Sequence, residues 1–358
     1  MTQPSFRPGA LVALAAAVTL VGCELPPQKS TQTGFRGVGI QQVYSPERLA
    51  ATAADHQVPK PLPPAPADSN RAGQMYQNVE VLGHLSNAEF VRTMAAMAEW
   101  VAPKTGPEAG CVYCHNPANM ASPEKYTYKV AKQMLRMTHA VNSEWTGHVA
   151  QTGVTCYTCH RGNQVPEGTW FYTDENQSLR HYLDRQDVRV QTDVALRSES
   201  NNLASVNQTE YTYGLMISMS TALGVNCTYC HNSRAFADWE QSPPQRLLAL
   251  RGTRMVRELN INHMLVLQDV WPEAKHAKGH LTGEGTLKPW HVDANISRGP
   301  LGDGAKLQCS TCHQGVYKPL YGQPMAKDFP GMYPAPPAAE VPMATEADSM
   351  PTQVSLLP

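Results

Sequence analysis

The sequence contains no apolar run of the roughly 18–20 residues needed to cross a bilayer as a helix. It also has almost no net charge: Lys+Arg 29 against Asp+Glu 30 leave −1 at pH 7. That balance excludes a broad basic field, and with it nucleic acid as a partner. Phenylalanine is scarce, 6 in 358 residues, although apolar residues reach 42%. A core is therefore affordable, but it cannot be built on phenyl rings. Charged residues are only 16%. Proline, by contrast, is abundant at 29, which implies long irregular stretches. Cysteine numbers nine, an odd count, so a framework made only of disulfides leaves one sulfur over.

The first 23 residues account for the odd cysteine. Arg7 supplies a positive start, and Leu11 to Val21 is an apolar stretch too short to span a membrane. It ends in Leu20-Val21-Gly22-Cys23, small residues before a cysteine, as at a bacterial lipoprotein cleavage site. Residues 1–22 then form a leader, and Cys23 becomes a diacylated N-terminus. Each buried acyl CH₂ contributes about 0.8 kcal/mol, so several chains anchor firmly. An ordinary signal peptide with a chance cysteine is the plainer reading. Either one exports the chain.

The remaining eight cysteines form four pairs, each followed at once by histidine: Cys111/Cys114-His115, Cys156/Cys159-His160, Cys227/Cys230-His231 and Cys309/Cys312-His313. C-x-x-C-H is the attachment motif of c-type haem. Two thiols reach the two vinyl groups of one porphyrin as thioethers, and the histidine lies under the iron. Zinc could use paired cysteines too, but does not require His after each second Cys. With 13 His in 358 residues, four such neighbours by chance have odds on the order of one in a million. A disulfide reading suits the tight C-x-x-C loop less well than cofactor chemistry does.

A sixth iron ligand is then needed, and Met there raises the reduction potential relative to His. The chain has 15 Met. Ser86-Asn-Ala-Glu89 reads as a capping box opening a helix with Phe90, Met94, Met97 and Val101 on one face. Before the second motif, Val130, Met134, Met137 and Val141 repeat the pattern, and before the third a helix near 207–222 carries Leu215, Met216 and Met219. Before the fourth, Ser242-Pro243 reads as N-cap and N1 of a helix with Leu248, Gly252, Met255 and Leu259 on its face. Any one Met stripe at this spacing is ordinarily core. The units also pair: Asn116 and Asn232 follow motifs one and three, while Gly162 and Gly315 lie two residues beyond motifs two and four. This suggests a duplicated two-haem module. Symmetry nominates Met255 as the counterpart of Met134, with His148 as competitor.

At these residues the chain resembles the tetrahaem cytochrome subunit of bacterial photosynthetic reaction centres, from about residue 75 to 325. The stretches that carry the resemblance are FVRTMAAMAEW (90–100), HVAQTGVTCYTCHRG (148–162), LGVNCTYCHN (223–232) and CSTCHQG (309–315), leading into VYKPLYG. The resemblance implies His115, His160, His231 and His313 as proximal ligands. It implies Met94, Met134 and Met216 as distal ligands of haems one to three, and His148 rather than Met255 for haem four. Arg246 matches a family arginine beside the third haem, where a cation favours reduced iron; a helix-surface charge is the plainer alternative. The loop between Trp100 and Cys111 is longer than usual in the family. The insert between Trp271 and Cys309, with His276, His280 and His291, is expected to be solvated.

The expected fold is mainly α, a multihaem cytochrome c of two pseudo-symmetric two-haem modules. Residues 1–22 are the leader, 23–75 a lipid-anchored extended segment, and 76–165 the first haem pair. A connector (166–205), the second haem pair (206–325) and a proline-rich disordered tail (326–358) follow. The implied function is an electron relay through four covalent haem c groups, spatially ordered one, two, four, three. It would run from a soluble cytochrome c or high-potential iron–sulfur protein to the bacteriochlorophyll-bearing core subunits, at the periplasmic face of the membrane. Glu89, Glu99, Glu108 and Glu124 suggest an acidic docking patch near motif one. The rival classes are a respiratory multihaem conduit and a multihaem reductase, the latter needing an open iron position.

Overall fold

Ser86 starts the first long helix because its hydroxyl accepts the Glu89 N–H at 3.2 Å. The computed structural model describes residues 29–32, 41–44, 46–171, 177–184, 206–267, 270 and 304–336. The leader, Cys23, His276, His280 and His291 lie outside the described residues. Two short antiparallel strands, β1 (Lys29–Gln32) and β2 (Gln41–Tyr44), pair with Lys29 opposite Tyr44. The other regular elements are mainly helices: α1 (Pro46–Thr52), α2 (Ala72–Met75), α3 (Asn87–Val101), α4 (Tyr126–Glu144), α5 (Thr146–Val149), α6 (Cys156–His160), α7 (Gln177–Leu183), α8 (Val206–Leu223), α9 (Gln245–Leu259) and α10 (Cys309–His313). Among the described residues no helix is long and apolar enough to cross a membrane.

Two apolar clusters organise these helices. One joins Leu82, Leu85, Ala96, Trp100, Leu135, Cys156, Phe329 and Met332. The other joins Val141, Trp170, Phe171, Leu183, Leu215, Met255, Val256, Leu259 and Leu307, among others. In the first, Trp100 meets Phe329 edge-on with ring centres 4.7 Å apart, and the Arg92 guanidinium lies 4.2 Å over the same ring. With so few phenylalanines, a single ring placed between α3 and the chain end matters.

Two buried asparagines set the entry to motifs two and four in the same way. Asn142 donates to the carbonyls of Val154 (2.9 Å) and Met332 (2.8 Å) and accepts the Val154 N–H (2.7 Å). Asn260 donates to Leu183 (2.8 Å) and Leu307 (3.0 Å) and accepts the Leu307 N–H (2.7 Å). Val154 and Leu307 each lie two residues before the first motif cysteine. Satisfying a buried amide on three sides fixes the register of the strand it holds.

Several expected boundaries move. Residues 326–333, expected as disordered tail, are part of the core: Ala326, Phe329 and Met332 are buried. Their one proline, Pro330, opens the compact 3₁₀ turn Pro330–Met332. Residues 337–358 lie outside the described residues. The 166–205 connector is also structural where described, because Trp170 and Lys306 exchange both backbone hydrogen bonds (3.0 and 2.9 Å). Lys306, at the end of the expected solvated insert, is therefore buried. The segment before residue 75 is coil over 57–70, but contains α1 and a 3₁₀ turn (Ala54–His56) ending in the buried His56. Finally, α9 starts two residues late, with Pro244 rather than Ser242 at its N-cap. The Ser242 hydroxyl is committed to the Asp238 carbonyl and the Arg246 guanidinium, so it is not free to cap.

Candidate haem sites

The four motifs take two local shapes. Motifs two and four are α-helical turns, each closed by a capping box, Thr155 with Thr158 and Gln308 with Thr311. Each ends on a left-handed residue, Arg161 (φ 51°) or Gln314 (φ 49°), followed by a glycine at φ 87° or 88°. Those glycines donate back to the last turn of the helix before the preceding motif. Gly162 N–H bonds Trp100 O at 3.0 Å, and Gly315 N–H bonds Ala222 O at 2.8 Å. Motifs one and three instead form 3₁₀ turns (Gly110–Tyr113 and Cys227–Tyr229). The following asparagine accepts from the backbone two residues on, Asn116 from Ala118 (2.9 Å) and Asn232 from Arg234 (3.1 Å).

All four motif histidines are oriented by the same device. Nδ1 faces a backbone carbonyl: Met120 for His115 (2.7 Å), Asn163 for His160 (2.9 Å), Phe236 for His231 (2.8 Å) and Val316 for His313 (3.0 Å). A carbonyl only accepts, so Nδ1 carries the proton and Nε2 keeps its lone pair for a metal. Burial pushes His160 and His231 below the usual imidazole range, and His313 down to about 4. The rings are therefore neutral, as ligation requires.

His148 on α5 follows the same rule, with Nδ1 donating to Leu248 O at 3.0 Å. Its ring centre lies 6.3 Å from that of His313, with the planes at 69°. Two imidazoles on one first-row metal, each bonded at about 2 Å, place their ring centres about 6 Å apart. The spacing of the two rings is thus compatible with both imidazoles holding one metal. Two other histidines behave otherwise: His139 uses Nε2 toward Gly331 O (2.9 Å), and His263 meets the Gln133 amide (2.9 Å).

A cavity of about 1470 Å³ lies between α3 and α4. It is lined by Met94, Cys111, Cys114 and His115 from one unit and Met134, Cys156 and His160 from the next. Both candidates Met94 and Met97 reach it. Met216 and Met219 pack on the second cluster, where the Met219 sulfur lies 3.9 Å from the Thr253 hydroxyl, which also reaches Ala249 O at 3.0 Å. Met255 is buried among apolar neighbours. Arg246 stacks 4.0 Å over Trp239 and donates to the carbonyls of Ala237 (3.2 Å) and Asp238 (2.9 Å). Those carbonyls follow directly on Phe236, whose own carbonyl faces His231 Nδ1, so the cation lies beside the loop that orients motif three.

Burial pushes the thiols of Cys114, Cys230 and Cys309 up to about 11 and Cys156 up to about 12. Thiols raised in this way are not the activated thiolates of a redox or nucleophilic C-x-x-C. One departure concerns Cys159 and Cys312, expected as separate haem anchors. They are joined as a disulfide, with Cα atoms 4.4 Å apart. The physical reason is that motifs two and four abut: Gln314 donates to Cys159 O at 2.9 Å. A sulfur in a disulfide cannot add to a vinyl group, so this pair must be reduced for either thioether to form.

Two of the four acids in the expected acidic patch are paired with cations. Glu89 pairs with Arg92 at 2.9 Å and Glu99 with Lys104 at 2.8 Å. Glu124 accepts from Asn116 (2.5 Å) and Ser122 (3.2 Å).

A family model described as "Photosynthetic reaction centre cytochrome C subunit" matches residues 24–182, 175–284 and 286–333. The chain is similar to the photosynthetic reaction center cytochrome c subunit of Rubrivivax gelatinosus, 44% identical over 92% of this chain and 90% of the relative. The corresponding subunit of Thermochromatium tepidum is 41% identical over 90% and 79%, and that of Roseobacter denitrificans 35% over 91% and 92%.

Proposed function

The chain belongs to the photosynthetic reaction centre cytochrome c subunit family, and on that premise we propose that its four motifs hold four haems. These relay electrons from a soluble periplasmic donor to the photo-oxidised bacteriochlorophyll pair. It is an electron-carrier component with covalent haem c, not an enzyme. The observation that carries the four-haem reading is the shared orientation of His115, His160, His231 and His313, each with Nδ1 tied to a carbonyl.

When bound, haem supplies a one-electron iron couple; the protein fixes spacing, ligands and local charge. Nδ1 bonding makes each proximal Nε2 a better donor. Met94, Met134 and Met216 are the proposed distal ligands that favour the reduced metal, and His148 the one that does not. Arg246 adds a positive charge beside motif three, which also favours reduction.

The order one, two, four, three is supported by neighbours. Motifs one and two share a cavity. Motifs two and four abut through Gln314 and Cys159. Motif four is bonded through Gly315 to α8, the helix before motif three. The recurring asparagine, glycine and capping geometry supports two modules of two haems. Attachment to the membrane by a lipid on Cys23 remains part of this reading.

Flash photolysis of membranes tests it. The α-band of reduced haem should bleach after light, and a band unmoved by light would refute the proposal. Because Glu89 and Glu99 are neutralised by their own partners, charge steering of the donor should be weak. Raising ionic strength should change the donor reaction about threefold or less. A tenfold or larger fall would restore the acidic patch.

A further inference from the structure

Gly252 lies inside α9, buried, with no positive φ to require glycine. Glycine there weakens the helix relative to alanine, so its presence has another cause. A Cβ built on Gly252 would stand 2.6 Å from Cε1 of His148 and 3.1 Å from both ring nitrogens. The first is closer than packed atoms tolerate and the other two are tight, so the His148 ring would have to shift. Two more contacts seat α5 on this stretch of α9: His148 Nδ1 to Leu248 O at 3.0 Å, and Arg251 to Gly147 O at 3.3 Å.

The buried asparagines give the register between modules. Asn142 and Asn260 perform the same task at motifs two and four. Counting eight residues back from each reaches Met134 on α4 and Gly252 on α9. Gly252, not Met255, therefore occupies the position that carries the proposed methionine ligand in the other module.

We propose that Gly252 selects the distal ligand of motif four: by lacking a side chain where its counterpart is methionine, it opens the space that the His148 imidazole enters. Gly252 is a positioning residue. This rests on the reading of His148 and His313 as ligands of one iron.

The test uses holoprotein, with potentials read by optical redox titration and ligand class by electron paramagnetic resonance. In Gly252→Ala, one haem of four should lose its low-spin bis-His signature while the other three keep their His/Met signatures. Alanine is the better helix former, so helix propensity does not account for that loss. In His148→Ala the same haem should turn high-spin. In the double variant His148→Ala/Gly252→Met it should return to low spin, with a His/Met spectrum and a potential raised into the range of the other three. The double variant carries no imidazole to clash and decides the matter even if Gly252→Ala does not accumulate. An unchanged bis-His signature in Gly252→Ala, or a double variant as high-spin as His148→Ala, would overturn the proposal. A wild-type protein with no bis-His haem would instead overturn the ligand reading beneath it.

Discussion

Replacing Cys227 and Cys230 together by alanine should leave a chain with three haems that no longer re-reduces the photo-oxidised pigment rapidly. Motif three stands at the end of the proposed order, so its loss breaks the last link. Replacing Cys111 and Cys114 should have a different outcome. The remaining haems would still deliver an electron on the first flash, but refilling from the soluble donor would fail on later ones. The two variants thus separate a relay with direction from a set of independent haems. Flash-induced absorbance over a train of flashes reads both. Equal behaviour of the two variants would contradict the order. The neighbour relations make the distinction sharp, because motif one communicates through the cavity it shares with motif two, while motif three adjoins motif four through α8.

The second large effect concerns a single ligand. Exchanging Met94 for His should lower the potential of one haem by on the order of 0.1–0.2 V, a fraction of the about 0.8 V that axial ligands span. A thioether is soft and favours ferrous iron, whereas imidazole is a stronger donor to the ferric state. Met97 lines the same cavity, so Met97→Leu is the matching control. It removes a neighbour without removing the ligand and should leave all four potentials nearly unchanged. A drop in Met97→Leu with none in Met94→His would assign the ligand to Met97 instead.

What the sequence made legible was local chemistry. A C-x-x-C-H motif carries its two anchors and its ligand within five residues, and the helix before each motif is read from spacing and from a cap such as Ser86. What it concealed depends on contacts between distant segments. Phe329 and Met332 lie in a proline-rich stretch that resembles a loose tail, yet α3 and α4 offer them a site to fill. Asn142 and Asn260 are polar residues whose role appears only when the segments they bind, 12 and 47 residues away, are folded against them. The repeated module gave a hint, but counting Met against Met set the register three residues off. Counting from the asparagines corrects Met255 to Gly252. The closeness of Cys159 and Cys312, whose Cα atoms lie 4.4 Å apart, could not be read at all, because their sequence separation is 153. Paired acids near motif one were visible as residues but not as partners of Arg92 and Lys104.

The most direct test of the central claim is the intact mass of the purified chain after extraction with acidified organic solvent. Four haem masses should remain bound, with Cys159 and Cys312 consumed as thioethers rather than as a disulfide. A chain that loses its pigment to the solvent, or keeps the Cys159–Cys312 bond and carries fewer than four haems, would contradict the account.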